Sequence, residues 1–517
     1  MLDLAIVLLY FAAIFITAIS GRVKEEATVE EYFLSSRNLR WPSIALSSIA
    51  TNINGYQFLG MMGSAYLYGL AQASLEINAV QGILMAAFIF VPLFLKARVI
   101  TITQYIQQRL GKTVGLFYSI ANLLIFSTIT LGAALFWGAY AADLVFEDYF
   151  SMVLGENRIR RISIIVVGLG VFSAIYTYFG GLNAVVKTDI IQFSILLFGG
   201  FVVLFISIHH LGGWGELYRK TPQLMKLHLP ADHPTLPWIH IFGLFLLNIN
   251  YWCANQTIMQ RSLAAKSLRH AQIGLMAGGV MKYVMAVLIV VPGIALYGIL
   301  SESGGLAEPD MAFPYLVREY LPIGLKGVIL CALFASLMST VDSTFNSLAT
   351  LWSIDIYQGY INKTATDQQI VKAGKNTILV TLVSGITMGL VLLYIKFENP
   401  EAAFTHTLNE LRYYINCGIV VLICTAAFMA TPSRKATLIG FLSTIPLHLV
   451  IIALFPDMNY FVRAMWVIVI ALSFVMLTSA KGGLRTWKEL IQYDSPEILR
   501  VGGVLLLSLV LLHVVFH

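Results

Sequence analysis

One stretch inside an apolar segment limits the folds open to this chain. Residues 47–57, Ser-Ser-Ile-Ala-Thr-Asn-Ile-Asn-Gly-Tyr-Gln, place hydroxyls, amides and a glycine in the middle of a segment long enough to cross a bilayer. In hydrocarbon every backbone N–H and C=O needs a partner within the protein, so a helix breaks at membrane depth only where it lines a cavity or an ion site. The stretch therefore predicts a broken transmembrane helix beside a binding site.

A second interruption lies in the other half of the chain. Residues 248–251, Asn-Ile-Asn-Tyr, interrupt another apolar segment, and paired interruptions in corresponding halves are typical of secondary transporters built from inverted repeats. The first predicted broken helix, 41–66, opens one set of five helices, and the second, 238–258, opens the next five. Because five is odd, the second set must run through the membrane in the opposite sense.

The composition requires a membrane environment. Hydrophobic residues make up 58% of the 517 residues and charged residues only 12%, and the mean hydropathy is +0.79. At about 20 apolar residues per crossing, the sequence predicts an all-α polytopic membrane protein with about 14 transmembrane helices in a single domain. Its expected parts are a leading helix and loop at 1–40, a first five-helix repeat at 41–209, an inverted second repeat at 238–430 and three trailing helices at 431–517.

The positions of Lys and Arg predict the topology. These residues favour cytoplasmic loops, and with both termini outside, the inner loops, among them 259–272, hold 20 of the 33, against ten in the outer loops and their flanks. We therefore expect a multi-pass protein of the plasma or inner membrane with outer termini; Arg158, Arg160 and Arg161 are exceptions. The basic residues lie in short loops between apolar runs rather than in one patch, so the net charge of +6 does not indicate a nucleic-acid partner. The expected surroundings are the lipid bilayer.

Charged side chains within predicted helices need an explanation, because each costs about 2.5–3.5 kcal/mol at the bilayer centre. A helix-end position whose side chain reaches the interface explains Asp189, Glu410 and Arg412 as well as a functional role does. Lys282 lies nearer the centre of its helix, so its ammonium needs a buried partner or a polar cavity. The full set is Glu76, Asp189, Lys282, Asp342, Glu410 and Arg412.

A row of hydroxyls follows one face of the predicted helix 323–353. At 3.6 residues per turn this face carries Ser336, Ser339, Thr340, Ser343 and Ser347. Small and hydroxylated residues are common where membrane helices pack closely, and hydroxyls opposite a broken helix also offer the oxygen ligands that hard cations prefer. The pattern alone leaves both interpretations open.

Several segments, taken together, are specific enough to identify a family. They are Glu30-Glu31-Tyr32-Phe33-Leu34-Ser35-Ser36-Arg37, Ala50-Thr51-Asn52-Ile53, Gln57-Phe58-Leu59-Gly60, Gly180-Gly181-Leu182-Asn183-Ala184 with Thr188-Asp189, Tyr251-Trp252-Cys253 with Asn255-Gln256 and Gln260-Arg261, and Asp355-Ile356-Tyr357. From about residue 28 to residue 420 the chain resembles the sodium:solute symporter family, and within it the sodium/sugar cotransporters, including the bacterial sodium/galactose type.

The resemblance implies a leucine-transporter-type fold of five plus five inverted helices, with a Na⁺ site where the first broken helix meets the row of hydroxyls. The implied ligands are the carbonyls of Ala50, Ile53 and Ser336 and the hydroxyls of Ser339 and Thr340. Some family members bind a second cation, for which the matching residues are Asp189, Asp342 and Ser343. The aspartate at 342, where the family has a hydroxyl, could strengthen such a site or take a proton.

The resemblance also implies a site for a sugar or polyol. The matching polar side chains are Gln57, Glu76, Asn248, Lys282 and Asn409, with Asn52 close enough in sequence to join them. Tyr251, with Trp252 beside it, matches an inner gate that stacks on the sugar, and Met61 matches an outer gate. Asn409 is shorter than the amide of the galactose type, and Ala79 replaces a serine, so the choice of sugar stays open.

We therefore expect sodium-coupled symport of a hexose-like sugar into the cell by alternating access, with Na⁺ and a sugar as partners. The chain has no catalytic or cofactor motif that indicates an enzyme. Two alternatives remain: a sodium symporter of the same family for another solute (an inositol, a uronic or sialic acid, or an amino acid), and a sugar sensor without transport. The sequence leaves open the sodium stoichiometry and the oligomeric state.

Overall fold

The described part of the chain is helical. A computed structural model describes residues 2–24, 26–55, 57–301, 304–306, 308–398, 404–479 and 483–517, without the side chains of 404–409. Within these ranges, backbone pairing of the strand type is limited to three isolated bridges. Eleven of the described helices are long and apolar enough to cross a bilayer. The all-α architecture is confirmed, and the number of fourteen crossings stays a prediction.

The helix bounds follow the predicted segments closely. In the first half they are Leu2–Ser20, Val29–Leu34, Trp41–Asn52, Gln57–Met61, Met62–Tyr68, Ser74–Ile77, Ala79–Met85, Ala86–Phe90, Val91–Lys96, Ile102–Leu110, Lys112–Leu124, Ile125–Thr130, Leu131–Val145, Glu147–Leu154, Arg158–Leu211 and Trp214–Lys220. In the second half they are His240–Cys253, Gln256–Leu263, Leu268–Leu300, Ala312–Tyr320, Leu325–Thr350, Leu351–Ile361, Asp367–Glu398, Phe404–Phe428, Arg434–Leu454, Tyr460–Thr478, Trp487–Leu490 and Pro496–Val515.

The predicted break in the first apolar segment is confirmed. The helix Trp41–Asn52 ends where Ile53 adopts an extended conformation, with φ −91° and ψ 123°, and helical structure resumes as a π-helical turn at Gln57. Gly55 lies in the gap, where a Cβ atom would come within 3.2 Å of the Gly138 backbone. We call the helix on both sides of this gap the first broken helix.

The second break lies later than the sequence predicted. Residues 248–251 continue the helix His240–Cys253, and the chain bends at Ala254 and Asn255. Asn255 begins the next helix, Gln256–Leu263, because its side chain accepts a hydrogen bond from the Thr257 N–H. The assignment of the interruption to 248–251 is therefore wrong: the polar side chains there project from a continuous helix. We call the pair of helices the second broken helix.

The helix Leu325–Thr350, here called the hydroxyl helix, lies at the centre of the bundle. Every residue from Ile329 to Thr350 is buried, and the helix packs against Arg158–Leu211, Asp367–Glu398 and the first broken helix. Its row of hydroxyls therefore faces protein rather than lipid, beside the gap in the first broken helix.

The segment Arg158–Leu211 is a hairpin of two helices that turns at Gly181, where φ is 52° and ψ is −145°. Both of its ends lie near the helix Ala312–Tyr320, because His210 stacks against Tyr320 at a ring distance of 4.4 Å and Arg158 binds Asp143 at 3.1 Å, close to Arg318. The helical arms on the two sides of Gly181 are thus antiparallel.

Replacing Gly181 with alanine is expected to destabilise the protein. The backbone there lies in a region that is almost restricted to glycine, which costs other residues about 1–3 kcal/mol, and a Cβ atom would come within 2.4 Å of the Tyr32 carbonyl oxygen. Thermal unfolding of the purified protein in detergent should show a lowered midpoint for G181A. Gly168 is the matched control because a Cβ atom there meets no atom within 4 Å; an equal midpoint for the two variants would contradict the assignment.

Candidate functional site

The gap in the first broken helix redirects its backbone hydrogen bonds. The Asn54 N–H donates to Gln57 Oε1 at 2.6 Å, so the helical ladder to the Ala50 carbonyl is not continued. Gln57 Nε2 donates to the Asn52 carbonyl at 3.0 Å. Gln57 thus caps both sides of the gap, which leaves the Ala50 carbonyl without the N–H that a continuous helix would give it.

The hydroxyl helix meets the gap through Thr340. Its Oγ1 donates to the Thr51 carbonyl at 3.2 Å or to the Ser336 carbonyl at 3.1 Å, and Ser339 Oγ donates to Asp189 Oδ1 at 2.5 Å. A hydroxyl that gives its hydrogen to a protein acceptor keeps oxygen lone pairs for a cation. Of the five predicted Na⁺ ligands, Ser336, Ser339 and Thr340 therefore lie on the helix that contacts the gap holding Ala50 and Ile53.

A buried arginine connects these elements. The guanidinium of Arg261 is fully buried and lies 3.3 Å from Asp189 Oδ2. It donates to Ser47 Oγ and Thr51 Oγ1 at 2.9 Å each and also to Ser343 Oγ. One side chain therefore ties both broken helices to the hydroxyl helix and to the hairpin.

Arg261 is the main residue of this region that the sequence analysis missed. Its assignment to the loop 259–272 is wrong, because the helix Gln256–Leu263 carries it into the core. The signal was the Gln260-Arg261 pair within the motif segments. The short helix after the second break places both side chains inside the bundle, where Gln260 binds Thr350 at 2.8 Å.

Two of the three residues of the predicted second cation site share one partner, and the third has a different one. Asp189 and Ser343 share the guanidinium of Arg261, whereas Asp342 Oδ2 accepts a hydrogen bond from the Tyr176 hydroxyl at 2.5 Å. Asp342 Oδ1 is buried without a hydrogen-bond partner among the described residues. A cation between Asp189 and Ser343 would have to share that position with Arg261.

Lys282 is the centre of a second polar network. Its Nζ donates to Glu76 and, at 2.5 Å, to Asn52 Oδ1, and it lies 5.9 Å from the centre of the Trp252 ring. Asn52 Nδ2 in turn donates to the Tyr251 hydroxyl at 2.9 Å. Lys282 and Glu76 are 2% and 4% exposed, so the pair neutralises two charges that are buried in the bundle. The buried partner that Lys282 required is thus Glu76.

The other predicted sugar ligands lie around this network. Asn248 Nδ2 donates to the Asn78 carbonyl at 2.9 Å, next to Glu76 in the chain. The amide of Gln57 is hydrogen-bonded to the Asn54 N–H and the Asn52 carbonyl at the gap. Met61 is buried at the end of the π-helical turn. Asn409 belongs to the helix Phe404–Phe428, but its side chain lies outside the described part of the structure.

A cavity of about 260 Å³ opens on the other side of Tyr251. It is lined by residues of both broken helices, of the helix Lys112–Val145, of the hydroxyl helix and of the helix Phe404–Phe428, including Arg412. Thr51 and Thr340 connect it to the proposed Na⁺ ligands, and Tyr251 connects it to Lys282 through Asn52. The two polar networks and the cavity therefore form one continuous region at the paired breaks.

Solved structures of other proteins share this architecture. A Na⁺-coupled sialic acid symporter in a substrate-bound, outward-open state matches with a TM-score of 0.80 at 19% identity, over 94% of this chain and 99% of that one. Mhp1, a nucleobase-cation-symport-1 family transporter, matches in a closed conformation with a TM-score of 0.50 at 12% identity, over 90% of this chain and 98% of that one. The chain thus has an all-α fold of the leucine-transporter type.

Residues 32–442 match the sequence model of the sodium:solute symporter family. The chain belongs to this family, and it is a multi-pass membrane transporter coupled to Na⁺ rather than an enzyme.

Among curated relatives, a sodium/glucose cotransporter of Vibrio parahaemolyticus is 30% identical over 450 residues, which cover 82% of this chain and 79% of the relative. Human sodium/glucose cotransporter 4 is 30% identical over 461 residues, which cover 82% of this chain and 65% of the relative. The match thus takes in just under two thirds of the human relative's length.

Proposed function

We propose that this protein carries a sugar into the cell together with Na⁺ by alternating access. The observation that carries the proposal is the buried network of Lys282, Glu76, Asn52 and Tyr251 beside the gap in the first broken helix. Ammonium, carboxylate and amide groups offer the donors and acceptors that a polyol needs, and the rings of Tyr251 and Trp252 offer an apolar surface. The named relatives are sodium/glucose cotransporters.

The proposed Na⁺ site joins the first broken helix to the hydroxyl helix. Na⁺ would bind the carbonyls of Ala50, Ile53 and Ser336 and the hydroxyls of Ser339 and Thr340. Asn52 is the last helical residue before the gap, and it contacts Lys282 at 2.5 Å. Ordering of the gap by Na⁺ would therefore also order the sugar network. Each ligand should then raise the affinity for the other by the same factor.

Alternating access would follow from movement of the two repeats, 41–209 and 238–430, against each other. Sugar would enter past Met61 and leave past Tyr251 and Trp252, with the termini outside and the protein in the plasma or inner membrane. We propose one Na⁺ at the gap, because Arg261 already supplies a positive charge between Asp189 and Ser343. The alternative is a stoichiometry of two cations, in which the second cation binds Asp189, Asp342 and Ser343.

Reciprocal binding tests this function. The thermal midpoint of the purified protein should rise with a sugar from a panel, and the rise should be larger in NaCl than in KCl at equal ionic strength. Sugars that stabilise equally in both salts would contradict coupling, and a panel of hexoses, inositols, uronic acids, sialic acid and amino acids discriminates the alternative solutes. A sugar sensor would give the same binding result without uptake into proteoliposomes.

Replacing Ser339 with alanine is expected to raise the Na⁺ concentration for half-maximal uptake roughly tenfold or more, because a contact with a charged group contributes about 1.5–3 kcal/mol. The measurement is initial uptake rate against Na⁺ concentration. Ser353 is the matched control, since its buried hydroxyl donates to the Ala349 carbonyl at 2.5 Å, away from the gap. If S339A and S353A show the same Na⁺ dependence, Ser339 is not a ligand.

A further inference from the structure

The guanidinium of Arg412 has no acidic partner among the described residues, unlike three arginines that are buried in the protein. Arg161 binds Asp143 at 2.8 Å, Arg261 lies 3.3 Å from Asp189, and Arg463 binds Glu410 at 2.6 Å. For Arg412, the structure over its described ranges gives neither an ion pair nor a hydrogen bond, and its Nε is buried without a partner. A cation that no described side chain compensates favours an anionic ligand at that position.

Arg412 lines the 260 Å³ cavity next to Tyr251. The polar groups around it are amides and hydroxyls, and no Asp or Glu occurs among the described residues that line the cavity. Lys282 is already neutralised by Glu76 on the other side of Tyr251. The cavity therefore combines one uncompensated cation with neutral groups that suit sugar hydroxyls, namely Asn54, Asn250, Asn255, Asn416, Thr51 and Thr340.

We propose that Arg412 binds the carboxylate of an acidic sugar, so that the transported solute is a uronate-like sugar acid rather than a neutral hexose. A guanidinium binds a carboxylate through two parallel N–H···O bonds, and the asparagine amides would bind the hydroxyls of the same molecule. This inference rests on the proposed function and names the class of solute. It also gives Arg412 the negative charge that no side chain in the described part of the structure provides.

Paired uptake measurements test the proposal. Proteoliposomes with an inward Na⁺ gradient receive radiolabelled glucuronate or glucose, and the wild type is compared with R412Q, R412K and R269Q. We expect the wild type to take up glucuronate faster than glucose. In R412Q the rate of glucuronate uptake should fall at least tenfold, while the rate of glucose uptake changes less than twofold. R412K should retain part of the glucuronate uptake because it keeps the charge but not the planar fork. R269Q is the control, since Arg269 lies on the surface near Asp494.

The outcomes separate this inference from the proposed function. Wild-type uptake of glucose without uptake of glucuronate, or equal losses of both in R412Q, would overturn the role of Arg412 and leave sugar symport standing. Absence of Na⁺-driven uptake for every sugar would overturn the proposed function itself. If R412Q does not fold, the thermal midpoint of the wild-type protein tests the proposal instead. Sodium glucuronate should raise this midpoint more than glucose does at an equal concentration of NaCl. An equal or smaller rise contradicts the proposal.

Discussion

Replacing Lys282 with methionine is expected to abolish Na⁺-driven sugar uptake. The ammonium of Lys282 is the only cation that contacts Glu76 among the described residues, and it also donates to Asn52 Oδ1 at 2.5 Å. Removing one member of a buried pair leaves the other charge uncompensated, at a cost of about 3–5 kcal/mol. The initial rate of uptake into proteoliposomes should fall by roughly two orders of magnitude or more, since 1.4 kcal/mol corresponds to a factor of ten.

A second substitution distinguishes the lost charge from the lost ligand. The double variant E76Q/K282M leaves no uncompensated charge at the site of this pair, so its thermal midpoint should recover most of the loss seen in K282M. Its uptake should stay absent because both sugar ligands are gone. Lys488 is an exposed control, and K488M should transport as the wild type does. Uptake by K282M within threefold of the wild-type rate would show that Lys282 is not needed for sugar binding.

Replacing Arg261 with methionine is expected to have the largest effect on stability. Its guanidinium is fully buried and contacts Asp189, Ser47, Thr51 and Ser343, which belong to three separate helices. Without it, Asp189 remains as a buried carboxylate whose other partners among the described residues are the hydroxyls of Ser47 and Ser339, again at a cost of about 3–5 kcal/mol. The thermal midpoint in detergent should fall well below that of the wild type.

The double variant D189N/R261M removes both charges and should regain part of the thermal midpoint. R269M is the control, because the pair of Arg269 with Asp494 is half exposed and spans 3.5 Å, and exposed pairs contribute about 0–1 kcal/mol. Equal midpoints for R261M and R269M would mean that the Asp189–Arg261 pair does not hold the three helices together.

The polar residues in apolar segments predicted much of this site. The break after Asn52 followed from Asn52, Asn54 and Gly55 in hydrocarbon. The need of Lys282 for a partner followed from its depth in the helix. The position of the second break did not follow, because an asparagine projecting from a continuous helix and one beside a break look alike in a sequence. Asn255 as a helix cap was the better signal, since its side chain accepts a hydrogen bond from the free Thr257 N–H in the first turn of the next helix.

Contacts between distant segments account for what the sequence could not predict. The sequence predicts Arg261 to be a loop residue, because it follows an apolar segment in a basic stretch. Only the packing of four helices shows that its partner is Asp189. Gln57 matches a sugar ligand by position, yet its side chain is used within the gap because two backbone groups there need partners. The cavity at Arg412 likewise depends on side chains from five parts of the chain.

The central claim is that the gap in the first broken helix couples sugar to Na⁺. The most direct measurement is uptake of a radiolabelled sugar, chosen as the one that most stabilises the purified protein, into proteoliposomes under an inward gradient of either Na⁺ or K⁺. We expect the labelled sugar to accumulate transiently inside the proteoliposomes above its equilibrium level under the Na⁺ gradient and not under the K⁺ gradient. Uptake that is the same under both gradients would contradict the central claim.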